Sequence, residues 1–357
     1  MTASPHSARQ RNDRRWQPFG RRGWYTVPAM PPLTGFRATF RCLRDMEMDF
    51  TSPEDGKPSP FIAMVGVNGA GKTTVLEAIA QCLFFLVQQV IEPPFLRQGD
   101  HVELQYPKGK LGYTWQDRPE MLLPRGVRVH RFRTHPRLAL EASSPSGSRA
   151  YETLSQVTEW SALPANLGRT LFIRSGYLPT LPTEKPLVQG PARGMSLEHA
   201  LLAASPKQRT EAVHQWWLHM HWEYPKTTTL DRLWAALKPF LGDLVYAGVN
   251  PQDHLPWFDD DGTRVSFNEL SSGQRRLIVL FLEIFMHCGE DGLVLFDEPE
   301  AHFHPHWQQM LPDALCQLVP RGQVIVATHA PHIVDGRPAH QVFVLGELPW
   351  ERAGVVE

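Results

Sequence analysis

The sequence predicts an α/β fold in which a mixed, mostly parallel sheet is flanked by helices and carries an inserted lobe. Short apolar runs alternate with helix-length segments near both ends, as in sheets that helices cover on both faces. The chain has 357 residues, 42% hydrophobic and 20% charged, which is typical of a globular protein. Its longest strongly apolar run, residues 277–286, contains Glu283 and is half of the ~20 residues that a membrane span needs.

The first elements are expected between residues 35 and 87. Residues 35–50 alternate in polarity as a hairpin does, residues 61–65 form an apolar run typical of a buried strand, and residues 73–87 have the length of a buried helix. A glycine-rich loop separates this strand from this helix. The order strand, glycine loop, helix is therefore predicted for this part of the chain.

Regular patterns return after about residue 265. The segment 92–262 is rich in Pro, Trp and charged residues, and only residues 126–133 and 170–174 are typical of strands. The later elements are expected in this order: a helix at 271–287 ended by Gly289, a strand at 293–296, a helix at 306–318, a strand at 323–327 and a last strand at 341–345.

Residues 66–73, Gly-Val-Asn-Gly-Ala-Gly-Lys-Thr, fit the pattern G-x-x-x-x-G-K-[ST] between that strand and that helix. Glycines let backbone N–H groups turn toward phosphate oxygens, and the helix start adds its positive end. Lys72 then reaches the β- and γ-phosphates, and Thr73 holds Mg²⁺. A glycine turn with an incidental lysine is disfavoured because every fixed position is filled. The predicted nucleotide-binding residues are Gly66, Asn68, Gly69, Ala70, Gly71, Lys72, Thr73 and Thr74.

Residues 293–298, Leu-Val-Leu-Phe-Asp-Glu, end in two carboxylates where a buried strand should emerge at its C-terminal end. Open α/β sheets bind ligands at that edge. Asp297 suits a metal contact, and Glu298 suits the general base that activates a water molecule. The alternative, a pair of acids capping a helix, is disfavoured by the phosphate loop in the same chain.

Residues 270–274, Leu-Ser-Ser-Gly-Gln, would by themselves be explained by a helix N-cap. With GVNGAGKTT, LVLFDEPE and ATHAP, however, they resemble ABC-type ATPase heads, the group that includes SMC-like and RecF-like DNA-repair ATPases. The segments 297–308 and 327–331 are more specifically similar to AAA-type ABC ATPases of OLD-family proteins and bacterial antiphage systems. The hairpin sequence FRCLRDMEMDF also resembles that group. The resemblance covers about residues 35–90 and 265–345.

The resemblance implies a P-loop NTPase of ABC-ATPase type that binds ATP and Mg²⁺ and forms a head-to-tail homodimer. It implies that Ser271 and Gly273 contact the γ-phosphate of ATP held by a second subunit, and that His329 is the switch histidine. Ser272 and Phe303 depart from the usual glycine and leucine. The implied catalytic residues are Glu298, His329 and Lys72, and the implied metal ligands are Thr73 and Asp297. The weak candidates for a Q-loop glutamine are Gln88, Gln89, Gln98 and Gln105.

These patterns divide the chain into four parts. Residues 1–34 form a basic arm, residues 35–91 an ATPase lobe with the Walker A motif, and residues 92–262 an inserted lobe. Residues 263–357 complete the ATPase core with the signature motif, the Walker B motif and the switch histidine.

The predicted function is Mg²⁺-dependent ATP hydrolysis by a dimer that regulates or drives a nucleic-acid-directed process. Antiphage defence with a separately encoded effector or nuclease is the favoured setting, because the chain carries no recognisable nuclease motif. The alternative is a RecF-like DNA-repair or chromosome-maintenance ATPase. A transporter nucleotide-binding subunit is the least favoured class.

Charge and cysteine use bear on partners and location. The net charge of −1 excludes nucleic-acid binding through overall charge, but residues 1–34 hold six arginines against Asp13, with aromatic residues among them. Such an arm could bind DNA or RNA, although a solvated or self-docked segment is the simpler alternative. Four cysteines without CxxC spacing, and an N-terminus unlike a signal peptide, favour a cytoplasmic protein with no membrane partner.

Two histidine groups allow more than one interpretation. His302, His304 and His306 alternate along the chain, and structural use is favoured there over metal binding. His214, His219 and His221 lie among tryptophans, where an aromatic packing or partner surface is favoured over a metal site.

Overall fold

The computed structural model describes residues 32–88, 101–107, 109–116, 137–143, 170–175, 229–250 and 256–346. Most of the basic arm, the strand predicted at 126–133, Gln89, Gln98 and the histidines at 214, 219 and 221 lie outside these residues. Within the described ranges, no helix is both long enough and apolar enough to cross a bilayer.

The described strands are β1 (Gly35–Phe40), β2 (Leu43–Asp49), β3 (Phe61–Val65), β4 (His101–Tyr106), β5 (Gly109–Gln116), β6 (Arg137–Ser143), β7 (Thr170–Ile173), β8 (Val245–Val249), β9 (Pro256–Asp260), β10 (Thr263–Ser266), β11 (Leu293–Asp297), β12 (Gln323–Thr328) and β13 (Val342–Val344). The α-helices are α1 (Lys72–Gln88), α2 (Thr229–Leu241), α3 (Ser272–Cys288), α4 (Pro305–Leu318) and α5 (Pro331–Val334). Short 3₁₀ helices occupy Phe267–Glu269, Pro299–His302 and Ala339–Gln341.

The central sheet has the strand order β13-β3-β12-β11-β7, and every neighbouring pair is parallel. A five-stranded antiparallel sheet, β2-β1-β4-β5-β6, and a three-stranded one, β10-β9-β8, accompany it. The predicted α/β class, with a mostly parallel sheet and flanking helices, is confirmed. The division of the chain at residues 91 and 262 stays a prediction, although β4 and β7 from between them join sheets built by the flanking segments.

Most elements predicted from apolar runs are confirmed within a residue or two. The hairpin forms as β1 and β2, and the predicted helices at 73–87, 271–287 and 306–318 correspond to α1, α3 and α4. Strands β4, β5, β6, β8, β9 and β10 and helix α2 were not predicted. Helix α2 buries apolar residues at helical spacing, Leu233, Ala236, Leu237 and Phe240, but it lies in a Pro-rich region and contains Pro239 in its last turn. Strand β8 is half exposed and lacks the pattern of a buried strand.

Two apolar clusters sandwich the parallel sheet. Successive side chains of a strand point to opposite faces. In β3, Phe61, Ala63 and Val65 join the cluster built with α2, α3 and α4. Ile62 and Met64 join the cluster built with α1 and the antiparallel sheet. Because both faces are covered, all five residues of β3 are buried and the strand is apolar throughout.

Gln323, the first residue of β12, links the two sheets through its amide. Its Nε2 donates hydrogen bonds to the carbonyl oxygens of Leu33 at 3.0 Å and Ser59 at 2.9 Å, and its Oε1 accepts one from Leu33 N at 2.9 Å. The side chain is 1% exposed. One buried amide thus satisfies three backbone groups just before β1 and β3.

We expect Gln323→Ala to lower the free energy of unfolding by about 3 kcal/mol, because it removes the partners of three buried backbone groups. Urea denaturation followed by circular dichroism measures this loss. Gln309→Ala is the matched control, since Gln309 is exposed and makes one hydrogen bond at 3.5 Å to Asp335. Equal stabilities for the two variants would show that the amide link is unimportant.

Candidate nucleotide-binding site

The carboxyl ends of three parallel strands meet at one edge of the central sheet. In the β11–β12 pair, Asp297 lies opposite Ala327, and in the β12–β3 pair, Thr328 lies opposite Val65. The residues that follow these strands therefore come together: the phosphate loop after β3, Glu298 after β11 and His329 after β12. Parallel α/β sheets bind ligands at this edge.

The phosphate loop has two positions that require glycine. A Cβ atom on Gly66 would lie 2.2 Å from the carbonyl oxygen of Leu345, so no larger residue fits without moving the backbone. Gly71 has φ +99°, a conformation that favours glycine, and its added Cβ would also lie 3.1 Å from Cys42 Sγ. The turn of the first hairpin and the chain after β13 thus pack against the loop. Asn68 and Gly69 are exposed at its tip, and Ala70 is half-buried.

Lys72, the first residue of α1, lies inside the loop. Its Nζ donates hydrogen bonds to the carbonyl oxygens of Gly66 at 2.8 Å and Val67 at 3.0 Å. Burial lowers the pKa of Lys72, while the charges of Glu298, Asp297 and Glu300 oppose that effect. The charges of the carboxylates at the sheet edge thus act on the lysine ammonium group.

Thr73 and Asp297 join the two predicted motifs directly. Thr73 Oγ1 lies 3.0 Å from Asp297 Oδ1 and 3.1 Å from Oδ2, and donates a hydrogen bond shared between them. Burial, at 2% exposure, raises the pKa of Asp297 from 3.8 to about 6. The hydrogen bond from Thr73 opposes this shift, and the nearby charge of Glu298 adds to it. The next residue of α1, Thr74, accepts a weak hydrogen bond from Cys42 Sγ at 3.7 Å.

Glu298 adopts a left-handed backbone conformation, with φ 50° and ψ 58°. Residues other than glycine rarely adopt it, at a cost of about 1–3 kcal/mol, and such strain is concentrated at functional sites. The N–H of Glu298 is held by the carbonyl oxygen of Ala327 at 2.8 Å. The turn redirects the chain immediately after β11, so the side chains of Asp297 and Glu298 contact different partners, Thr73 and Ser175.

Ser175 contacts the side chain of Glu298, a contact that the sequence did not predict. Its hydroxyl donates a hydrogen bond to Glu298 Oε2, and its backbone N–H lowers the pKa of Asp297. Ser175 follows β7, the neighbour of β11 in the sheet. The only sequence signal was the strand predicted at 170–174.

His329 is held by a second residue to which the sequence gave no role, Glu300. Glu300 Oε1 accepts a hydrogen bond from His329 N at 2.7 Å and lies 3.0 Å from His329 Nδ1. The predicted switch histidine therefore lies at the same edge as Asp297 and Glu298, on the segment after β12.

The segment 270–274 forms the start of α3. Ser271 is the N-cap: its Oγ accepts a hydrogen bond from Gln274 N at 3.2 Å, and Gln274 Oε1 accepts one from Ser271 N at 3.1 Å. Gly273 lies against Trp307, where a Cβ atom would be 3.3 Å from the indole ring. The capping interpretation is confirmed. Ser271 is nevertheless exposed, so the start of α3 is accessible to a ligand or a partner.

Of the alternating histidines 302, 304 and 306, His304 has the structural use that was predicted for the group. His304 caps α4, its Nδ1 accepting a hydrogen bond from His306 N at 3.3 Å.

Comparison with known families agrees with this geometry. Residues 114–335 match a family described as "AAA domain, putative AbiEii toxin, Type IV TA system", and residues 38–89 match a second AAA-domain family. The first match covers more than half of the 357 residues. The chain belongs to this AAA family. The resemblance to AAA-type ABC ATPases that the motifs indicated is thus confirmed.

Three relatives of this AAA-family chain differ in how much they share with it. Septu protein PtuA of Bacillus mycoides is 22% identical over 336 residues, covering 89% of this chain and 42% of PtuA. The OLD nuclease of Thermus scotoductus is 24% identical, covering 83% and 58% of the two chains. A retron Vc95 probable ATPase of Vibrio cholerae is 28% identical over 127 residues, covering 32% and 25%. The chain therefore spans between a quarter and three fifths of these relatives.

Among solved structures, the SMC head domain from Thermotoga maritima aligns with a TM-score of 0.43 at 13% identity. The alignment covers 85% of this chain and 91% of that domain.

The raised pKa of Asp297 predicts a pH-dependent stability of the nucleotide-free protein. The folded pKa of about 6 lies above the ordinary value of 3.8, so the stability from the protonated carboxyl is full below pH 3.8 and is lost as the pH rises through 6. Asp297→Asn should therefore raise the melting temperature more at pH 8 than at pH 5. Differential scanning calorimetry in EDTA measures both, with Asp243→Asn, in an exposed turn, as the control. A shift of equal size at both pH values would contradict the prediction.

Proposed function

We propose that the protein is a Mg²⁺-dependent ATPase. The observation that carries the proposal is the contact between Thr73 of the phosphate loop and Asp297 at the end of β11, 224 residues apart in sequence. A threonine hydroxyl and an aspartate carboxylate are the hard oxygen ligands that Mg²⁺ prefers beside nucleotide phosphates. These two residues would hold the ion, which supplies neutralisation of phosphate charge when bound.

The remaining residues of the edge have complementary roles in the proposal. Backbone N–H groups of residues 66–74 and the start of α1 bind the phosphates, and Lys72 exchanges its carbonyl partners for the β- and γ-phosphate oxygens. Glu298 accepts a proton from the attacking water, and Ser175 orients its carboxylate until then. His329 contacts the γ-phosphate from the segment after β12.

The proposed active unit is a homodimer with composite ATP sites. Ser271 is exposed and Gly273 is half-exposed at the start of the 17-residue helix α3, whose positive end favours an anion. In the proposal, these two residues contact the γ-phosphate of ATP bound to the partner subunit. This arrangement follows from the signature-motif resemblance.

We further propose that ATP binding and hydrolysis control a separately encoded effector or nuclease in antiphage defence. Support comes from the relatives whose names include OLD nuclease, Septu PtuA and a retron ATPase. The chain matches only part of each relative, and the proposal concerns the ATPase part of such a system.

Lys72→Ala should abolish ATP binding, whereas Glu298→Gln should retain binding, lose hydrolysis and accumulate as an ATP-bound dimer. The first residue holds phosphates, and the second acts after the site is assembled. Equilibrium binding, phosphate release and sedimentation velocity measure the three properties. The controls are the exposed residues Lys57 and Glu47, changed in the same way. Wild-type hydrolysis by Glu298→Gln would disprove the catalytic assignment. Protection from phage that survives this substitution would refute the control of defence by ATP hydrolysis.

Ser271→Arg should leave ATP binding by one subunit intact but prevent dimerisation and turnover, because a bulky cation blocks the helix start. Ser271→Ala is the matched control for the capping role alone, with an expected loss of about 1 kcal/mol of stability. Mixed dimers of Ser271→Arg with Lys72→Ala have one site with both lesions and one with neither. They should regain part of the hydrolysis, and heterodimers that stay inactive would argue against composite sites.

A further inference from the structure

We propose that Glu300 is a positioning residue that fixes the ring orientation and tautomer of His329 at the nucleotide site. Its effect on hydrolysis rests on the proposed ATPase function, but its effect on the histidine ring does not. In this inference Glu300 acts through His329, which is not one of the residues proposed as metal ligands.

One oxygen of Glu300 holds His329 at two points. Glu300 Oε1 accepts the backbone N–H of His329 at 2.7 Å and lies 3.0 Å from Nδ1 of the same residue. The Glu300 side chain is 4% exposed, whereas that of His329 is 45% exposed. A half-exposed ring would otherwise change rotamer freely, so a fixed, buried carboxylate limits both the backbone and the ring.

The carboxylate also selects a tautomer. A carboxylate oxygen 3.0 Å away would repel the lone pair of an unprotonated Nδ1, so this contact favours a proton on His329 Nδ1. In the neutral ring, Nε2 is then unprotonated and is the nitrogen left for another partner. In metal sites, carboxylates that accept a hydrogen bond from the second ring N–H of a histidine set its tautomer and orientation in this way.

Glu300 is itself held rigidly. It lies in the 3₁₀ helix Pro299–His302, where its carbonyl oxygen accepts hydrogen bonds from Phe303 N at 3.1 Å and from Gln308 Nε2 at 3.4 Å. The same Gln308 amide donates to the carbonyl oxygen of Phe303 at 2.9 Å. Helix α4 therefore stabilises the turn that carries the Glu300 carboxylate. This carboxylate in turn links the segment after β11 to the segment after β12.

Glu300 could affect ATP hydrolysis either through His329 or through the charge of Lys72. Glu300 Oε2 is buried without a hydrogen-bond partner among the described residues, which is costly for a carboxylate. The charge of Glu300 also favours the charged form of Lys72. If Glu300 acted only through Lys72, its removal would weaken ATP binding. If it acts through His329, its removal should leave ATP binding intact and slow hydrolysis.

The first test uses nucleotide-free protein labelled with ¹⁵N-histidine. The ring signals of His329 are those missing from His329→Gln. At a pH where the ring is neutral, wild type and Glu47→Gln should show the Nδ1-protonated tautomer, and Glu300→Ala should show a mixture dominated by the other form. An unchanged tautomer in Glu300→Ala would overturn the inference, whatever the ATPase activity.

The second test measures ATP affinity and turnover. Glu300→Ala should reduce kcat by about tenfold to 100-fold, the range seen when the carboxylate partners of metal-binding histidines are removed, with unchanged ATP affinity. Glu300→Gln keeps an acceptor oxygen, so its loss of kcat should be smaller. It also replaces Glu300→Ala in this test if that variant is unstable. In a His329→Gln background, either change should add little. Additive losses, or a loss confined to ATP affinity, would overturn the inference; absence of wild-type turnover counts against the ATPase proposal alone.

Discussion

The site depends on the parallel pairing of β3, β12 and β11. Three strands from distant parts of the chain end level with one another, so each of the following segments starts at the same edge. That constraint brings Thr73 to Asp297 and Glu300 to His329 with normal hydrogen-bond distances. Apolar side chains on both faces fix the strands in register. Packing of the core therefore sets the geometry of the polar edge.

Burial gives the charged residues of this edge opposite tendencies. It lowers the pKa of Lys72 and raises that of Asp297, so each group alone would tend to lose its charge. Their proximity counters both tendencies, since the carboxylates favour the charged lysine and the lysine favours the ionised aspartate. Without a ligand, Lys72 and Asp297 thus compensate each other's burial only in part. A ligand that brings both phosphate and a cation would stabilise the charged form of each residue.

The sequence predicted the parts of the fold and site that depend on contiguous patterns. Strands β3, β11 and β12 are buried on both faces and are therefore unbroken apolar runs, and Lys72, Thr73, Asp297 and Glu298 belong to compact motifs. Strand β4 (HVELQY) does alternate polar and apolar residues, a pattern typical of a half-buried strand that went unrecognised. Strand β8 (VYAGV) contains Gly248 and β10 (TRVS) has only four residues, so neither is a distinctive run. Ser175 was missed because its contact requires β7 to pair with β11, 123 residues later. Glu300 belongs to the motif after β11, but the sequence did not indicate its contact with His329, which follows β12.

The neighbours of β3 in the sheet have a consequence for biosynthesis. Its two partners, β12 and β13, are among the last described elements of the chain, and Leu345 packs against Gly66. When the ribosome has made β3 and α1, neither edge of that strand can yet be paired. The phosphate loop can reach its final shape only after residue 345 has left the exit tunnel, because long-range parallel pairing must wait for both strands. A nascent chain of this protein therefore carries the nucleotide motif long before it can use it.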